Sequence, residues 1–384
     1  MEQDNRIRVA ITQGDTNGVG LEVILKTFAD PTIFELCTPI LYGNPHVVVY
    51  HRKACDLTTN FTAIQHIDDV RPDRLNLLVC DDTEVPVNLG QESVEAGNQA
   101  LKALERAVRD YKEGKFDVLV TAPINKHTIQ GEGFHFPGHT EYIEASVGEG
   151  EKALMILMNE RMRVALVTTH LPIAQVAQAI TQDNILQRLR IFDHSLRRDF
   201  AIEVPRIAVL ALNPHAGDDG LLGKEEQDIL IPAIEQANKD GIHAYGPYAA
   251  DGFFGARNFE HFDGVLAMYH DQGLAPFKTL AMDDGVNYTA GLSLVRTSPD
   301  HGTAYDIAGK GEADENSFRQ ALYAAIDIFR NRHFCDEGTQ NPLPKLYHDR
   351  REEVGAPRFR TPSEQTSPRT RDEGSQERRP HRDE

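Results

Sequence analysis

A chain of 384 residues with 40% hydrophobic side chains has enough apolar material for one large core or two medium ones, so a globular protein of two lobes is expected. Its net charge of -19 argues against a nucleic-acid partner, since phosphate backbones are met by a basic face. The four cysteines, Cys37, Cys55, Cys80 and Cys335, lie far apart without a C-x-x-C, which fits neither a disulfide framework nor a thiolate zinc site. No secretory pattern opens the sequence and no stretch reaches the ~18 apolar residues of a membrane helix, so a cytoplasmic protein with no membrane partner is expected.

Ile7 to Thr12 reads as the first strand. ITQGDTNGVGLEVIL carries it through Gly14, Gly18 and Gly20 into a helix whose N-terminus is placed to hold an anion. This is not G-x-G-x-x-G, so a dinucleotide would bind outside that fingerprint. Leu75 to Cys80, Phe116 to Val120, Ala153 to Met158, Val164 to Thr168, Ile207 to Leu212 and Val265 to Tyr269 are the further strands. Leu101, Leu104, Val108 and Tyr111 recur at helical spacing, as do Phe318, Leu322, Ala325 and Phe329, and both stripes are core. FPGHTEY places His139 and Thr140 at a helix start. The alternation is that of an α/β protein with a largely parallel sheet. Beyond about Leu346 the chain is charged and Pro-containing, and a disordered tail is expected over 347–384.

Three strands end alike: VALVTTHLP at His170, VLALNPHAG at His215 and VLAMYHDQG at His270. Ligands of open α/β sheets sit at the carboxyl ends of strands, so these histidines are placed to converge. Three imidazoles with an open position make the usual catalytic site for zinc or a related divalent ion. Asp271 is open to several roles: orienting His270, ligation, proton acceptance, or a plain turn.

DHGTAYDIAGKGEADENS, Asp300 to Ser317, is a turn of small residues leading into the last helix. Gly302, Gly309 and Gly311 allow close approach of backbone to a ligand, and Asp314 or Asn316 is the expected cap. Lys278, Asn287 and Arg296, with His139 and Thr140, supply donors suited to phosphate and carboxylate if they meet in one cleft. Arg296 follows the apolar run GLSLV and is expected at a strand end.

The Asp300 to Ala313 stretch resembles the adenosine-binding loop of isocitrate and isopropylmalate dehydrogenases, with His-Gly-Thr-Ala followed by Asp-Ile-Ala-Gly-Lys-Gly. GDTNGVGLEV is similar to their opening glycine turn. GHTE at Gly138, TTHLP at Thr168, LNPHAG at Leu212, AMYHDQG at Ala267 and the stretch from Gly-Val-Asn to Arg-Thr-Ser look more narrowly like the 4-hydroxythreonine-4-phosphate dehydrogenase family. That likeness spans about Arg6 to Arg332. It implies metal ligands at His170, His215 and His270, and substrate contacts at His139, Thr140, Lys278, Asn287 and Arg296. It also implies a homodimer whose active sites are built from both subunits, with one histidine supplied across the interface. Two departures stand out: GDTNGVG where the family has Gly-Glu-Pro-Ala-Gly-Ile-Gly, and Gly252 after Asp251 where it commonly has Thr.

The resemblance implies a fold of the isocitrate/isopropylmalate dehydrogenase type, with two α/β lobes and a cleft between them. Residues 1–130 and 278–346 would make the first lobe and 131–277 the second. The implied activity is NAD-dependent, metal-dependent oxidation of a phosphorylated 3-hydroxy acid, followed by loss of CO2. His301, Gly302, Thr303, Ala304 and Asp314 would meet the cofactor, NADP remaining open, although a carboxylate at Asp314 favours NAD by repelling a 2'-phosphate. Zinc is the expected metal, with Mg, Co, Ni and Mn open. Lys278, Asp251 or Asp271 would take the proton. Erythronate or threonate 4-phosphate are alternative substrates, and a metal-dependent hydrolase is the alternative class, which would have no need of an adenosine loop.

Overall fold

The structure, a computed structural model, describes residues 6–130, 134–281 and 283–340. The charged tail expected over 347–384 lies outside them.

β1 (Ile7–Thr12) leads through a glycine turn to α1 (Gly20–Thr27), α2 (Ile33–Leu36), β2 (Cys37–Gly43), α3 (Pro45–Ala54) and β3 (Phe61–Ile64). Next come β4 (Leu75–Val79), α4 (Val94–Lys112), β5 (Val118–Thr121), α5 (His139–Val147), β6 (Leu154–Met158), β7 (Arg163–Leu166), α6 (Ile173–Ala179) and α7 (Gln182–Arg198). β8 (Arg206–Leu210), α8 (Ile231–Lys239), β9 (His243–Tyr248), α9 (Ala250–Gly255), β10 (Gly264–Ala267) and α10 (His270–Leu280) follow. The chain closes with β11 (Val286–Ala290), β12 (Val295–Pro299) and α11 (Asn316–Gln340).

All the strands join one sheet in the order β3-β4-β2-β1-β5-β12-β11-β6-β7-β10-β8-β9. Pairing is parallel outside the middle, where β11 runs antiparallel to both β12 and β6, and β6 antiparallel to β7. Two parallel blocks of opposite sense are thus joined through the antiparallel strands β11 and β6. The seven strands read from apolar runs are all present, within about two residues at each end. β2, β3, β9 and β11 escaped that reading, Pro39 and Pro247 interrupting the apolar pattern of β2 and β9, and β12 begins at Val295, where the run GLSLV ends.

The helices form for local reasons. Ser93 caps α4 by accepting from Ala96 N at 3.1 Å, and Leu104 and Val108 are buried on its inner stripe. Phe318, Leu322 and Ala325 of α11 are fully buried, and Asp314 Oδ1 accepts from Asn316 N at 2.7 Å where that helix begins. All four cysteines are free, and among the described residues no helix is long and apolar enough to cross a membrane.

Candidate active site

The opening turn and the loop after β12 are far apart in sequence and packed together in space. Val19 N donates to the Thr303 carbonyl at 3.0 Å, and a Cβ on Gly18 would stand 2.7 Å from that same oxygen. At the start of α1, where an anion was expected, the chain's own loop takes the Val19 N–H and lies against Gly18. Asp15 accepts from Tyr305 Oη at 2.9 Å and from Asn17 N at 2.9 Å, and burial pushes its carboxyl up. Asn17, which replaces the Ala of the family turn, donates to Gln91 O at 2.8 Å and accepts from Asn88 N at 2.9 Å, tying down a second loop.

The far side of the glycine loop is clamped by α1. Glu22 is fully buried, and its Oε1 accepts from Ala313 N at 2.9 Å and from Lys26 Nζ at 2.9 Å. Lys26 Nζ also donates to the carbonyls of Gly311 at 2.8 Å and Ala313 at 2.6 Å. His301 and Thr303 are half-buried at the head of this loop, Gly302 is exposed, and Ala304 takes a left-handed φ of 44°. His301 Nδ1 approaches the Gly302 carbonyl at 2.9 Å, while its Nε2 is buried without a partner among the described residues. An orphaned donor or acceptor beside open glycine backbone fits a loop that completes its bonding with a bound polar molecule.

The three histidines follow β7, β8 and β10, which are adjacent parallel strands. Two of the rings meet: the His170 and His270 centroids are 6.1 Å apart. Each offers its Nδ1 to a carboxylate, His270 to Asp271 at 2.7 Å and His170 to Glu141 at 3.5 Å, while Nε2 of His170 lies 3.3 Å from Lys126 Nζ. A cavity of about 410 Å³ opens beside them between Thr169, Ile173 and Tyr269.

Within one subunit the three do not come together: among the described residues no group of three His, Cys, Asp or Glu side chains is arranged to hold a metal. His215 is exposed on a left-handed turn, Pro214–Gly220, in which its φ is 53° and those of Ala216, Asp218 and Asp219 are 54°, 45° and 52°. Each such residue costs roughly 1–2 kcal/mol, so the turn must be imposed by its surroundings. Buried Glu226 holds the chain that enters it, accepting from Leu212 N at 2.9 Å, Asn213 N at 2.8 Å and Asn213 Nδ2 at 2.9 Å.

Arg296, expected at a strand end after GLSLV, is instead the second residue of β12. Register places Arg296 opposite Thr289 and Asn287 opposite Ser298, so all four share one sheet face. The guanidinium, 3% exposed, donates from Nε to Thr121 Oγ1 at 3.1 Å and from Nη1 to Thr289 Oγ1 at 3.2 Å, and none of the ion pairs among the described residues involves it. Burial holds its pKa down to about 10, with Glu141 pulling the other way. Asn287 Oδ1 is likewise buried without a partner among the described residues. His139 begins α5 and Thr140 follows it, both half-buried. Burial first, then Arg296 and Lys126, hold the His139 imidazole well below the usual histidine range.

Lys278, on the last turn of α10, pairs with Asp300 Oδ1 at 3.3 Å and donates to Asp300 O at 3.1 Å. Burial raises the Asp300 carboxyl against the pull of Lys278, His301 and His270, which gathers these groups at the other end of β12. Asp251 is exposed in the first turn of α9. A Cβ built on Gly252 meets nothing within 4 Å, so the glycine there is not imposed by packing. Lys126, Glu141, Asp300 and Thr121 belong to this constellation and were not singled out from sequence. Lys126 and Asp300 had a readable signal, since both sit in loops that directly follow strands.

Fold and site together define a class: an α/β protein whose imidazoles and buried cation are set to receive an anionic small molecule. The chain belongs to the family described as pyridoxal phosphate biosynthetic protein PdxA, whose model matches residues 35–325. A 4-hydroxythreonine-4-phosphate dehydrogenase of Bacteroides thetaiotaomicron is 61% identical over 351 residues, covering 91% of this chain and 96% of that protein. A relative from Oceanobacillus iheyensis, provisionally named a D-threonate 4-phosphate dehydrogenase, is 38% identical over 324 residues, 83% of this chain and 97% of its own. Among solved structures, the Klebsiella pneumoniae 4-hydroxythreonine-4-phosphate dehydrogenase superposes with a TM-score of 0.73 at 32% identity, covering 85% of this chain and 99% of that one.

Proposed function

We propose that this protein is an NAD-dependent 4-hydroxythreonine-4-phosphate dehydrogenase, oxidising C3 of its substrate to a 3-keto acid that loses CO2 to give 3-amino-2-oxopropyl phosphate. The observation that carries the reading is Arg296: a buried guanidinium with only hydroxyl partners has its charge unmatched until an anion arrives. The neighbouring rings of His170 and His270 and the likeness to enzymes of that name support the phosphorylated hydroxy acid as that anion.

In this reading His170 and His270 of one chain, with His215 of a second copy, would hold a divalent cation, zinc being the proposed ion. The chemistry supplied there when it is bound is Lewis-acid polarisation of the substrate's hydroxyl oxygen. Asp271 and Glu141 fix the tautomers of the two imidazoles, so that Nε2 of each faces the site. Asp271 is thereby given to His270, which leaves proton acceptance to Lys278 or Asp251. The His301 to Ala304 segment and Asp314 would hold NAD, the hydride acceptor, between the glycine backbone and the clamp of α1. Arg296, Asn287, His139 and Thr140 would orient the acid. Residues 1–130 with 278–346, and 131–277, would form the two lobes that enclose it.

A homodimer with shared sites is part of the proposal. Leu171 and Ile173, 42% and 73% exposed, flank His170, and Leu221 and Leu222, 78% and 44% exposed, follow the His215 turn. An apolar rim around two half-sites is what a second copy would cover. The test is NADH formation with 4-hydroxythreonine, erythronate and threonate 4-phosphates; activity on a sugar acid alone would move the assignment to the threonate-type relatives, and no activity on any would reject it.

A further inference from the structure

The loop after β5 meets the start of α5 in a cationic pocket. Lys126 Nζ lies 3.3 Å from His170 Nε2, and Lys126 Cε stands 3.7 Å from where a Cβ on Gly138 would sit, so this lysine lies over the first turn of α5. That helix spans nine residues behind Gly138, an N-cap without a side chain, and the Glu141 carboxylate bonds its own N–H among the leading N–H groups. They carry the positive end of the helix dipole. Arg296 approaches the same place, since it and Lys126 both act on His139, and its guanidinium is buried with hydroxyl partners only. Glu141, the carboxylate facing this group, has Oε1 3.5 Å from His170 Nδ1 and Oε2 3.4 Å from the same Gly138 position, so Lys126 and the phosphate share this place with it. Lys278 is held elsewhere by Asp300 at 3.3 Å.

We propose that Lys126 is a phosphate-binding residue of the active site, gripping the substrate's phosphate together with Arg296 and the first turn of α5. The inference rests on the proposed dehydrogenase function for what the phosphate is attached to. A phosphate ester carries a charge of about -1.5 to -2 at neutral pH, which one guanidinium leaves partly unmatched. In a chain of net charge -19 the surrounding field adds repulsion, so a second local cation is needed. Lysine suits that place, as a point charge on a flexible stem that follows the ligand, while Arg296 supplies the fixed fork.

The test is calorimetric titration of the full chain with inorganic phosphate, in wild type, Lys126→Met, Lys126→Arg and the surface control Lys239→Met on α8. Lys126→Met is expected to weaken phosphate at least about tenfold, the ~1.4 kcal/mol of one charge-assisted contact. Lys126→Arg should stay within about threefold and Lys239→Met should match wild type. In turnover, Lys126→Met should raise KM for the phosphorylated acid more than it lowers kcat, with NAD affinity unchanged. Wild-type phosphate affinity in Lys126→Met, or an equal loss in Lys239→Met, would overturn the assignment. Because the titration needs no turnover, an inactive wild type would reject the dehydrogenase reading and leave the phosphate result standing.

Discussion

Replacing Lys26 by methionine keeps the length of the side chain and removes its charge, and the consequence can be worked from the clamp on the glycine loop. Glu22 is fully buried, and Lys26, 19% exposed, gives it one bond while giving two more to the Gly311 and Ala313 carbonyls. Breaking a buried pair from one side costs about 3–5 kcal/mol, because the remaining charge stays buried without its partner. Partial exposure of the lysine places this case at the lower end, about 3 kcal/mol. For a unit larger than 200 residues each kcal/mol lowers Tm by about 2 °C, so Lys26→Met should melt about 6 °C lower. NAD affinity should fall with it, since the loop loses its anchor to α1. Glu22→Gln added to Lys26→Met removes the stranded charge and should recover at least half of the loss, so the double mutant is more stable than Lys26→Met alone. Scanning calorimetry with NAD titration measures all of this. A Lys26→Met melting point within about 1 °C of wild type, or a double mutant less stable than Lys26→Met, would refute the clamp.

Glu226→Ala should free the left-handed turn that carries His215 and weaken zinc by about 10–100-fold with the fold retained, measured by competition with a chelator. His215→Ala should leave the protein folded but metal-poor, and full metal content with normal turnover would remove it from the site. Arg296→Lys keeps a charge but loses the fork to Thr121 and Thr289, so kcat/KM for the hydroxy acid should drop about tenfold or more while NAD affinity holds. Because burial raises the Asp15 carboxyl above its unfolded value, the folded state binds the extra proton, and wild type loses stability as pH rises from about 4 through that raised pKa. Asp15→Asn cannot lose a proton there, so melting curves should show the wild type gaining on it toward acid and losing toward neutral pH. Truncation after Leu346 should change neither Tm nor rate.

The sequence by itself determined the α/β class, the seven clearest strands and the helical stripes of α4 and α11, because fully buried parallel strands and one-sided helices write their burial directly into residue order. It also marked His170, His215 and His270 by a recurrence at strand ends, and the glycine loop by its small residues. Only the tertiary structure decided which of these meet. That His170 and His270 are ring neighbours while His215 stands apart follows from the loops after β7, β8 and β10, and a left-handed turn held by Glu226, fourteen residues beyond Leu212, leaves no periodic trace. Arg296 looked like a residue beyond a strand because its neighbours GLSLV are apolar, whereas β12 places it inside the sheet between β5 and β11, where Thr121 and Thr289 can reach it. Lys126 was passed over although it sits in a loop that directly follows β5. A charged residue in a loop reads as solvated surface until the fold shows that 44 residues of chain bring His170 to within 3.3 Å of it.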